Sequence, residues 1–358
     1  MSSTFHSMRI AEVRQEGDDA ISLLLDMPEE LRETFAFRPG QHLTMRTHVD
    51  GEELRRNYSI CAAPRERQWR VAIKRLPGGR FSGWANDTLA AGDSIEVMPP
   101  TGSFTWIFDP ARSASYALFA SGSGITPILS LLKEGLAAEP ESRFALFYGN
   151  RDSDSILFLE EIAGLKDRYI DRLRVQHFLS REEDELDVLN GRIDGAKMAE
   201  VVGHFLQPAA LDAVFVCGPE GMMDAVETAL VEAGTPEEFI HSERFTVGEL
   251  SEEQKAAMAN LERQAAGKPI KVTIDGRRRT IEFDPEKVSI LENARASGVR
   301  APFACKAGVC ATCRAKVVKG KVEMIRNFGL TPEEIEAGYI LTCQSVPVSD
   351  DVEVDFDI

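Results

Sequence analysis

Several features that would assign this chain of 358 residues to other classes of protein are missing from it. No run of about 18 apolar residues is present, the length that a helix needs to cross a bilayer, so we expect no transmembrane helix and no membrane partner. The first residues lack the apolar core of a signal peptide, and we therefore expect a cytoplasmic protein. Positive charge is scarce: 41 Lys and Arg stand against 58 Asp and Glu, and the net charge of −17 argues against a nucleic-acid partner.

Cysteine is also scarce, at six residues, yet four of them form a motif near the C-terminal end. Cys305, Cys310, Cys313 and Cys343 follow the spacing C-x4-C-x2-C-x29-C, which is the ligand spacing of plant-type [2Fe–2S] ferredoxins. Gly308 and its small neighbours allow backbone N–H groups to approach the sulfur atoms. A structural zinc site is the alternative, but such sites usually have two C-x2-C pairs and only one is present. The motif therefore predicts an iron–sulfur cluster and a protein that transfers electrons.

The chain shows three successive patterns, in line with the two to three domains that its length predicts. Residues 1–109 contain short alternating strands between Pro and Gly turns, which predicts an antiparallel β-barrel. Residues 110–245 alternate strands, such as Leu173–Leu179 and Ala213–Cys217, with helices, such as Ser155–Leu165. This rhythm predicts an α/β domain with a doubly wound parallel sheet.

The last third of the chain has two parts. Residues 246–268 contain few large apolar side chains, and we expect them to form a linker that is partly helical. Residues 269–358 contain a strand pair, a short helix, the cysteine loop and a final strand. This part is predicted to be an α+β, β-grasp-like [2Fe–2S] ferredoxin domain.

Two motifs in the predicted barrel have the residue types that a flavin nucleotide needs. Arg56-Asn57-Tyr58-Ser59 offers a guanidinium fork for a pyrophosphate and an aromatic ring for the flavin. Gly79-Arg80-Phe81-Ser82 offers a flexible glycine, a hydroxyl and backbone N–H groups at a predicted helix start, where phosphates bind readily. Each motif alone is weak evidence for a flavin site, but their order along the chain, together with the motifs that follow, supports one.

Two further motifs stand at strand-to-helix junctions of the α/β domain. Gly122-Ser123-Gly124-Ile125-Thr126-Pro127 follows the first strand, and its glycines let the backbone approach a pyrophosphate at a helix N-terminus. Cys217-Gly218-Pro219 follows a later strand at the same predicted sheet edge. A lone cysteine is usually a buried structural thiol, but at this edge we expect Cys217 beside the nicotinamide, where it shapes the hydride path by contact.

Asn150-Arg151 follows the second strand of the same domain. An acidic residue at this place suits the ribose 2′-hydroxyl of NADH, whereas an arginine suits the 2′-phosphate of NADPH. Arg151 favours NADPH, while the nearby Asp152 and Asp154 leave NADH open.

The motifs at Arg56, Gly79, Gly122 and Cys217, in this order, resemble those of the ferredoxin–NADP⁺ reductase superfamily. With the cysteine motif behind them, nearly the whole chain is similar to the reductase components of multicomponent oxygenases. More narrowly, four shorter stretches resemble the reductase subunits of phenylacetyl-CoA epoxidases: Glu52–Arg56, Gly191–Gly195, His241–Phe245 and Asp351–Ile358.

The resemblance implies FAD on a Greek-key barrel, with Tyr58 against the isoalloxazine, Arg56 and Ser82 at the phosphates, and Phe245 over the other flavin face. The residues predicted nearest to hydride transfer are Cys217, Thr126 and Tyr58. The residues predicted to bind cofactors are Arg56, Tyr58, Ser59, Lys74, Gly79, Phe81, Ser82, Gly122, Gly124, Thr126, Pro127, Asn150, Arg151, Cys217, Gly218, Pro219 and Phe245.

A nicotinamide releases two electrons as a hydride, a [2Fe–2S] cluster accepts one, and a flavin can mediate between them. The predicted path therefore runs from NADPH through FAD and the cluster to an oxygenase. The resemblance implies a di-iron oxygenase partner, formed by phenylacetyl-CoA epoxidase subunits, that epoxidises phenylacetyl-CoA. The alternatives are a reductase of the same architecture for a steroid or aromatic-ring hydroxylase, a redox sensor with a vestigial flavin domain, and a zinc-binding adaptor.

Overall fold

A computed structural model of the chain describes residues 4–245 and 252–358. These residues divide into two compact units. The larger unit contains Thr4–Pro100 and Phe104–Phe245, and the smaller one contains Thr101–Ser103 and residues 252–358. The domain boundaries predicted after residues 109, 245 and 268 stay a prediction. Within the described ranges, every helix is too short or too polar to span a bilayer.

The first part of the larger unit is an antiparallel sheet of six strands with one helix. Its elements are β1 (His6–Gln15), β2 (Ala20–Asp26), β3 (His42–Val49), β4 (Glu52–Ser59), β5 (Trp69–Lys74), α1 (Arg80–Thr88) and β6 (Ser94–Val97). The strand order is β4-β3-β6-β1-β2-β5, and a bridge between Ile60, just after β4, and Val71 of β5 joins its two ends. The sheet curls around buried Met8, Leu23 and Leu43, which confirms the predicted barrel.

The second part of the larger unit is a parallel sheet with helices on both faces. Its elements are β7 (Ser115–Ser121), α2 (Ile125–Ala138), β8 (Arg143–Asn150), α3 (Leu159–Arg168), β9 (Leu173–Leu179), α4 (Gly195–Phe205), β10 (Ala213–Cys217), α5 (Glu220–Glu232) and β11 (Ile240–Glu243). The strand order is β11-β10-β7-β8-β9. Ile128 of α2 and Ile162 of α3 join one apolar core, and Met198 of α4 and Val226 of α5 join the other. This doubly wound arrangement was predicted, and it places the carboxyl ends of all five strands along one edge.

Helix α3 begins later than the sequence pattern predicts. Residues Ser153–Ser155 form a short 3-10 turn that the Asp152 carboxylate caps by accepting a hydrogen bond from the N–H of Ser155. Phe158 then adopts φ +59°, a left-handed conformation that a helix cannot contain. The predicted start at Ser155 is therefore replaced by a start at Leu159.

The smaller unit has a mixed sheet with a helix packed on it. Its elements are α6 (Glu252–Ala265), β12 (Pro269–Ile274), β13 (Arg277–Glu282), α7 (Ile290–Ala296), β14 (Arg314–Lys319), β15 (Val322–Met324), α8 (Pro332–Glu336), β16 (Tyr339–Leu341), β17 (Ser345–Pro347) and β18 (Val352–Asp355). The main sheet has the order β13-β12-β18-β14-β16, and β15 pairs with β17. Ile290 and Leu291 of α7 pack into the core of this unit, which matches the predicted α+β ferredoxin domain.

The predicted linker lies partly outside the described residues, because positions 246–251 are not among them. The rest of it contains α6, and the last turn of this helix carries Ala265, which is fully buried. Ala265 belongs to the same apolar core as Ile270 and Phe283, and Leu261 packs against that core. The C-terminal end of α6 is thus part of the smaller unit.

Candidate redox site

The predicted phosphate-binding motif Gly79–Ser82 forms the start of α1. No side chain in the described part of the chain caps the first turn of this helix, so its N–H groups remain available to an anion. The Ser82 hydroxyl accepts a hydrogen bond from the N–H of Leu76 at 3.1 Å and donates one to the carbonyl of Gly79 at 3.3 Å. Ser82 therefore shapes the loop, and the backbone of α1 offers the donors that suit the phosphates of FAD.

An open cavity of about 530 Å³ borders this loop. Three arginines contribute to its wall, together with Trp84: Arg75 and Arg80 from one continuous segment at the start of α1, and Arg151 from the loop after β8. Guanidinium groups and an aromatic face are the groups that recognise a phosphorylated nucleotide. Arg56, predicted at the same phosphates, is exposed on β4, and its guanidinium donates to the carbonyl of Arg55 at 2.7 Å.

Tyr58 lies in a row of aromatic rings at the end of β4. Its ring centre is 5.5 Å from that of Phe81, which in turn lies 5.6 Å from the Trp84 ring. Burial raises the pKa of the Tyr58 hydroxyl well above its ordinary value, so the phenol stays neutral at physiological pH. The structure thus brings Tyr58 and Phe81 together, but Phe81 is only 1% exposed and belongs to the core of the barrel. Phe81 therefore supports the Tyr58 ring without a surface open to FAD, and the contact of Tyr58 with the flavin remains a prediction.

A carboxylate that the sequence motifs do not include lies beside Ser59. The Ser59 hydroxyl donates a hydrogen bond to Oε2 of Glu243 at 3.3 Å, and Nδ1 of His42 lies 3.8 Å from Oε1 of the same carboxylate. All three side chains are largely covered, with Glu243 12% and His42 6% exposed. Glu243 lies within the stretch His241–Phe245 that carries the narrower resemblance, and this was the one signal for it in the sequence.

Cys217 lies next to Glu243 because β10 and β11 are adjacent parallel strands, in which these two residues are register partners. The thiol is fully buried, and burial, with a smaller effect from the charge of Glu243, raises its pKa well above the ordinary value. A neutral thiol is a poor nucleophile. Cys217 is therefore not set up as a nucleophile, and its predicted contact with the nicotinamide remains a prediction.

The turn Gly122–Gly124 packs against the backbone that follows Cys217. A Cβ atom on Gly124 would lie 2.1 Å from the carbonyl oxygen of Cys217, so only glycine fits there. The Thr126 hydroxyl donates to the carbonyl of Ser123 at 3.0 Å, which braces the turn at the start of α2. Two predicted dinucleotide motifs therefore meet at the carboxyl edge of the sheet, where dinucleotides bind.

Asn150 supplies an independent sign of a ligand at this edge. The residue is 9% exposed, and both its Oδ1 and its Nδ2 are buried without a hydrogen-bond partner in the described residues. Buried amides normally form such bonds. A nicotinamide dinucleotide at the carboxyl end of β8 would supply the missing partners, so the residues present fit this cofactor.

Two of the predicted cofactor-binding cations, Arg151 and Lys74, pair with a carboxylate that the sequence motifs do not include. Arg151 donates to the carboxylate of Asp19 at 2.7 Å, and Nζ of Lys74 lies 3.2 Å from the other oxygen of Asp19. Arg181, which the sequence reasoning missed, joins Arg151 through its backbone N–H and is exposed, without a side-chain partner among the described residues. Phe245 is 38% exposed, and its predicted contact with the flavin remains a prediction.

The four cysteines of the C-terminal motif lie together as two pairs. The Cys305 thiol is hydrogen-bonded to Cys310 and the Cys313 thiol to Cys343, and these contacts raise the pKa of Cys305 and Cys313. Within residues 4–245 and 252–358, no three His, Cys, Asp or Glu side chains are grouped around a position for one metal ion. A [2Fe–2S] cluster needs two thiolates for each of its irons, and the two pairs provide them.

The loop that carries these cysteines directs backbone N–H groups at sulfur. The N–H of Ala307 donates to Sγ of Cys305 at 3.3 Å, and backbone groups of Val309 and Gly308 hydrogen-bond Cys305 and Cys343, respectively. The hydroxyl oxygen of Thr312 is buried and has no partner in the described structure. Such donors stabilise the negative charge of a cluster and its thiolates, so the loop fits a [2Fe–2S] cluster.

Comparisons with known proteins identify the domains that carry these residues. Family models match three segments: the oxidoreductase FAD-binding domain at residues 7–106, the oxidoreductase NAD-binding domain at 118–228 and the 2Fe-2S iron-sulfur cluster binding domain at 272–348. The E subunit of 1,2-phenylacetyl-CoA epoxidase from Escherichia coli K12 is 43% identical over 99% of this chain and 98% of its own. The ferredoxin reductase component of the 3-ketosteroid-9-alpha-monooxygenase of Rhodococcus rhodochrous is 34% identical over 98% and 96%.

A solved structure shows the same architecture over the full length. Phthalate dioxygenase reductase, a modular structure for electron transfer from pyridine nucleotides to [2Fe–2S], matches with a TM-score of 0.58 and 26% identity over 98% of both chains. The fold and the site define a modular oxidoreductase that binds FAD, a nicotinamide dinucleotide and a [2Fe–2S] cluster. The chain belongs to the family of single-chain oxygenase reductases that includes the E subunit of 1,2-phenylacetyl-CoA epoxidase. It transfers electrons from the dinucleotide to an oxygenase component.

Proposed function

We propose that this chain is the reductase of a phenylacetyl-CoA epoxidase and delivers electrons from NADPH to the di-iron oxygenase subunits that epoxidise the substrate. The supporting observation is that this chain has a higher sequence identity, over almost its whole length, to the epoxidase reductase than to the steroid monooxygenase reductase. The epoxidase reductase shares 43% of its residues with this chain, whereas the steroid monooxygenase reductase shares 34%. We also propose a cytoplasmic location, which suits a protein with six free thiols.

The preference for NADPH is supported by charge at the carboxyl ends of β8 and β9. Arg151 follows β8, and the N–H of Arg181 donates to its carbonyl at 2.7 Å. Two guanidinium groups therefore start from neighbouring positions, beside the unpartnered amide of Asn150. Guanidinium groups bind phosphate through two parallel hydrogen bonds, so this corner suits the 2′-phosphate better than a free hydroxyl.

The proposed roles follow from the contacts of each residue. When bound, FAD takes up a hydride and passes its electrons singly to the [2Fe–2S] cluster. Tyr58 contacts the flavin ring, the buried Phe81 supports the Tyr58 ring, and the first turn of α1 binds the phosphates. Ser59 and Glu243 form a hydrogen-bonded pair beside the buried Cys217, where they orient the reacting edges and exclude water.

The remaining roles concern the dinucleotide and the cluster. Gly122, Gly124, Thr126 and Pro127 form the pyrophosphate turn, Gly218 and Pro219 form the opposite wall, and Lys74 lies behind the turn. A Cβ atom on Gly122 would be 3.9 Å from Nζ of Lys74. The four ligands of the cluster are Cys305, Cys310, Cys313 and Cys343.

Reconstitution with purified phenylacetyl-CoA epoxidase oxygenase subunits tests the partner. The protein, NADPH, O2 and phenylacetyl-CoA are mixed, and the ring epoxide is quantified against the NADPH consumed. Epoxide formed in proportion to NADPH, and absent when Cys310→Ser replaces the natural protein, would support the proposal. NADPH consumption that yields only peroxide with an active oxygenase would assign the reductase to another oxygenase, and the steroid monooxygenase system would be tested next because of its 34% identity.

A further inference from the structure

Asp19 holds two cations that belong to different parts of the dinucleotide site. Its Oδ2 accepts a hydrogen bond from Arg151 at 2.7 Å, and its Oδ1 lies 3.2 Å from Nζ of Lys74. The carboxylate is 24% exposed and the Lys74 side chain 17%, whereas Arg151 is 44% exposed and lines the cavity. Asp19 comes from the turn between β1 and β2 of the barrel, and Arg151 from the loop after β8.

The turn that carries Asp19 is fixed against this loop. The N–H of Asp18 donates to the carbonyl of Asp154 at 3.1 Å. Gly17 has φ +62°, and a Cβ atom on it would lie 2.7 Å from the same carbonyl oxygen, so the two backbones touch. Because both ends of the pair are anchored, the Asp19 carboxylate stays within reach of Arg151 when a dinucleotide arrives.

We propose that Asp19 is a specificity-determining residue that restrains Arg151 and thereby lowers the preference of the site for a 2′-phosphate. This inference rests on the proposed use of NADPH. A carboxylate at hydrogen-bond distance neutralises much of the positive potential of the guanidinium and occupies one of its N–H groups. A 2′-phosphate must then share Arg151 with Asp19, while a 2′-hydroxyl is unaffected.

Lys74 makes it necessary to measure a ratio of affinities. The same carboxylate neutralises Lys74, which lies behind the Gly122 turn, where the pyrophosphate of either dinucleotide is expected. Loss of the Asp19 charge therefore strengthens the binding of NADH and NADPH alike through Lys74. The effect of this charge loss that acts through Arg151 is seen only when the affinity for a ligand with the 2′-phosphate is compared with the affinity for one without it.

The experiment uses ADP-ribose and 2′-phospho-ADP-ribose, which share the pyrophosphate and cannot transfer a hydride. Their dissociation constants are measured by calorimetry with the FAD- and cluster-loaded protein. The quantity compared is the affinity for 2′-phospho-ADP-ribose divided by the affinity for ADP-ribose. In Asp19→Asn this ratio is expected to be about fivefold higher than in the natural protein, which corresponds to the upper range of the energy of a partly exposed ion pair. Asp19→Glu keeps the charge and is expected to keep the natural ratio.

Two further variants complete the test. Asp18→Asn removes the same charge from the same turn, but the exposed Asp18 carboxylate has no side-chain partner in the described residues, so the ratio should not change. In an Arg151→Ala background, Asp19→Asn should also leave the ratio unchanged. FAD content and thermal unfolding of each variant establish that it is folded.

An unchanged ratio in folded Asp19→Asn would overturn the restraint, and so would an equal rise in the Arg151→Ala background. Failure of the NADPH proposal gives a different result. In that case the natural protein binds both ligands equally, while Asp19→Asn acquires a preference for the phosphorylated one through Arg151. That outcome would support the restraint and assign the natural protein to NADH.

Discussion

The backbone of Gly124 packs against the carbonyl group of Cys217, so that a Cβ atom on Gly124 would lie 2.1 Å from the carbonyl oxygen and 2.6 Å from the carbonyl carbon. The obstacle is backbone at the end of β10, which cannot rotate away as a side chain can. This contact fixes the spacing between the pyrophosphate turn and the wall that carries Cys217.

Gly124→Ala is therefore expected to displace the Gly122–Gly124 turn and misplace the dinucleotide. A displacement of about 1 Å can cost on the order of 100-fold in rate. We expect the rate of flavin reduction by NADPH, measured by anaerobic stopped-flow absorbance, to fall by about this factor while FAD remains bound. The matched control is Gly221→Ala, because that glycine is the second residue of the neighbouring helix α5 and has open space around its Cβ position. A normal rate in Gly124→Ala would show that the turn does not position the dinucleotide.

The hydrogen bond between Ser59 and Glu243 gives a second prediction. The pair lies beside Cys217, and removal of either polar group should impair hydride transfer more than cofactor binding. Ser59→Ala and Glu243→Gln are expected to lower the flavin reduction rate by about 100-fold at normal FAD content.

Ser242→Ala is the control for both variants. Ser242 is the neighbour of Glu243 on β11, and its hydroxyl donates to Glu227 of α5. Its loss removes a comparable hydrogen bond from the same strand and should leave hydride transfer unchanged. If Ser242→Ala slows flavin reduction as much as Ser59→Ala does, the effect belongs to the stability of the strand.

The pair also shows which parts of the site a sequence can reveal. The strands Leu173–Leu179 and Ala213–Cys217 are predicted with the bounds that the structure has. Ala213–Cys217 is buried along its whole length and is a continuous apolar run, whereas Leu173–Leu179 lies at the edge of the sheet and alternates apolar with polar residues. The contact between Ser59 and Glu243 joins residues 184 positions apart. No local pattern encodes such a contact, since it arises only when the barrel packs beside β11.

The ion pair of Arg151 could not be predicted from the sequence, for a related reason. Its position after β8 was predicted, but the partner Asp19 comes from a turn of the barrel 132 residues away. The start of α3 was misplaced because the conformation of Phe158, with φ +59°, depends on the packing of its loop. The cysteine spacing, in contrast, was sufficient because three ligands lie within one short loop.

Cys310→Ser is expected to separate the two halves of the electron path. Cys310 pairs with Cys305, and loss of one thiolate should remove the cluster or its normal function. Transfer to the oxygenase should fall to background, while NADPH oxidation by a two-electron dye should remain. Cys61→Ser, a change at a buried thiol of the barrel, should retain both activities. Loss of both activities in Cys310→Ser at normal FAD content would argue against a linear path.

The pH dependence of stability provides a fourth prediction. Burial lowers the pKa of His241 below its ordinary 6.5, and its ring stacks on Phe215 with centres 5.4 Å apart. The unfolded chain therefore binds this proton more tightly, so His241 contributes stability that is present above pH 6.5 and is lost as the pH falls towards the lowered pKa.

His241→Phe, which keeps the ring stack, is thus expected to reduce the loss of unfolding free energy between about pH 7.5 and pH 5.5. The measurement is urea denaturation at several pH values. Carboxylates with lowered pKa, such as Glu96 beside Arg46, lose their contribution only below this window. The exposed His48 supplies the control, since His48→Phe should leave the pH profile unchanged. If the unfolding free energy of His241→Phe falls with pH as steeply as that of the natural protein, His241 is not the source of this pH dependence.

Anaerobic stopped-flow reduction by NADPH tests the central claim, the order of electron transfer, most directly. The FAD-loaded protein is compared with protein that keeps its cluster but has been stripped of FAD. We predict that flavin absorbance is lost first and cluster absorbance second, and that the cluster stays oxidised without FAD. Reduction of the cluster at the same rate in the stripped protein would contradict the path from dinucleotide through FAD to the [2Fe–2S] cluster.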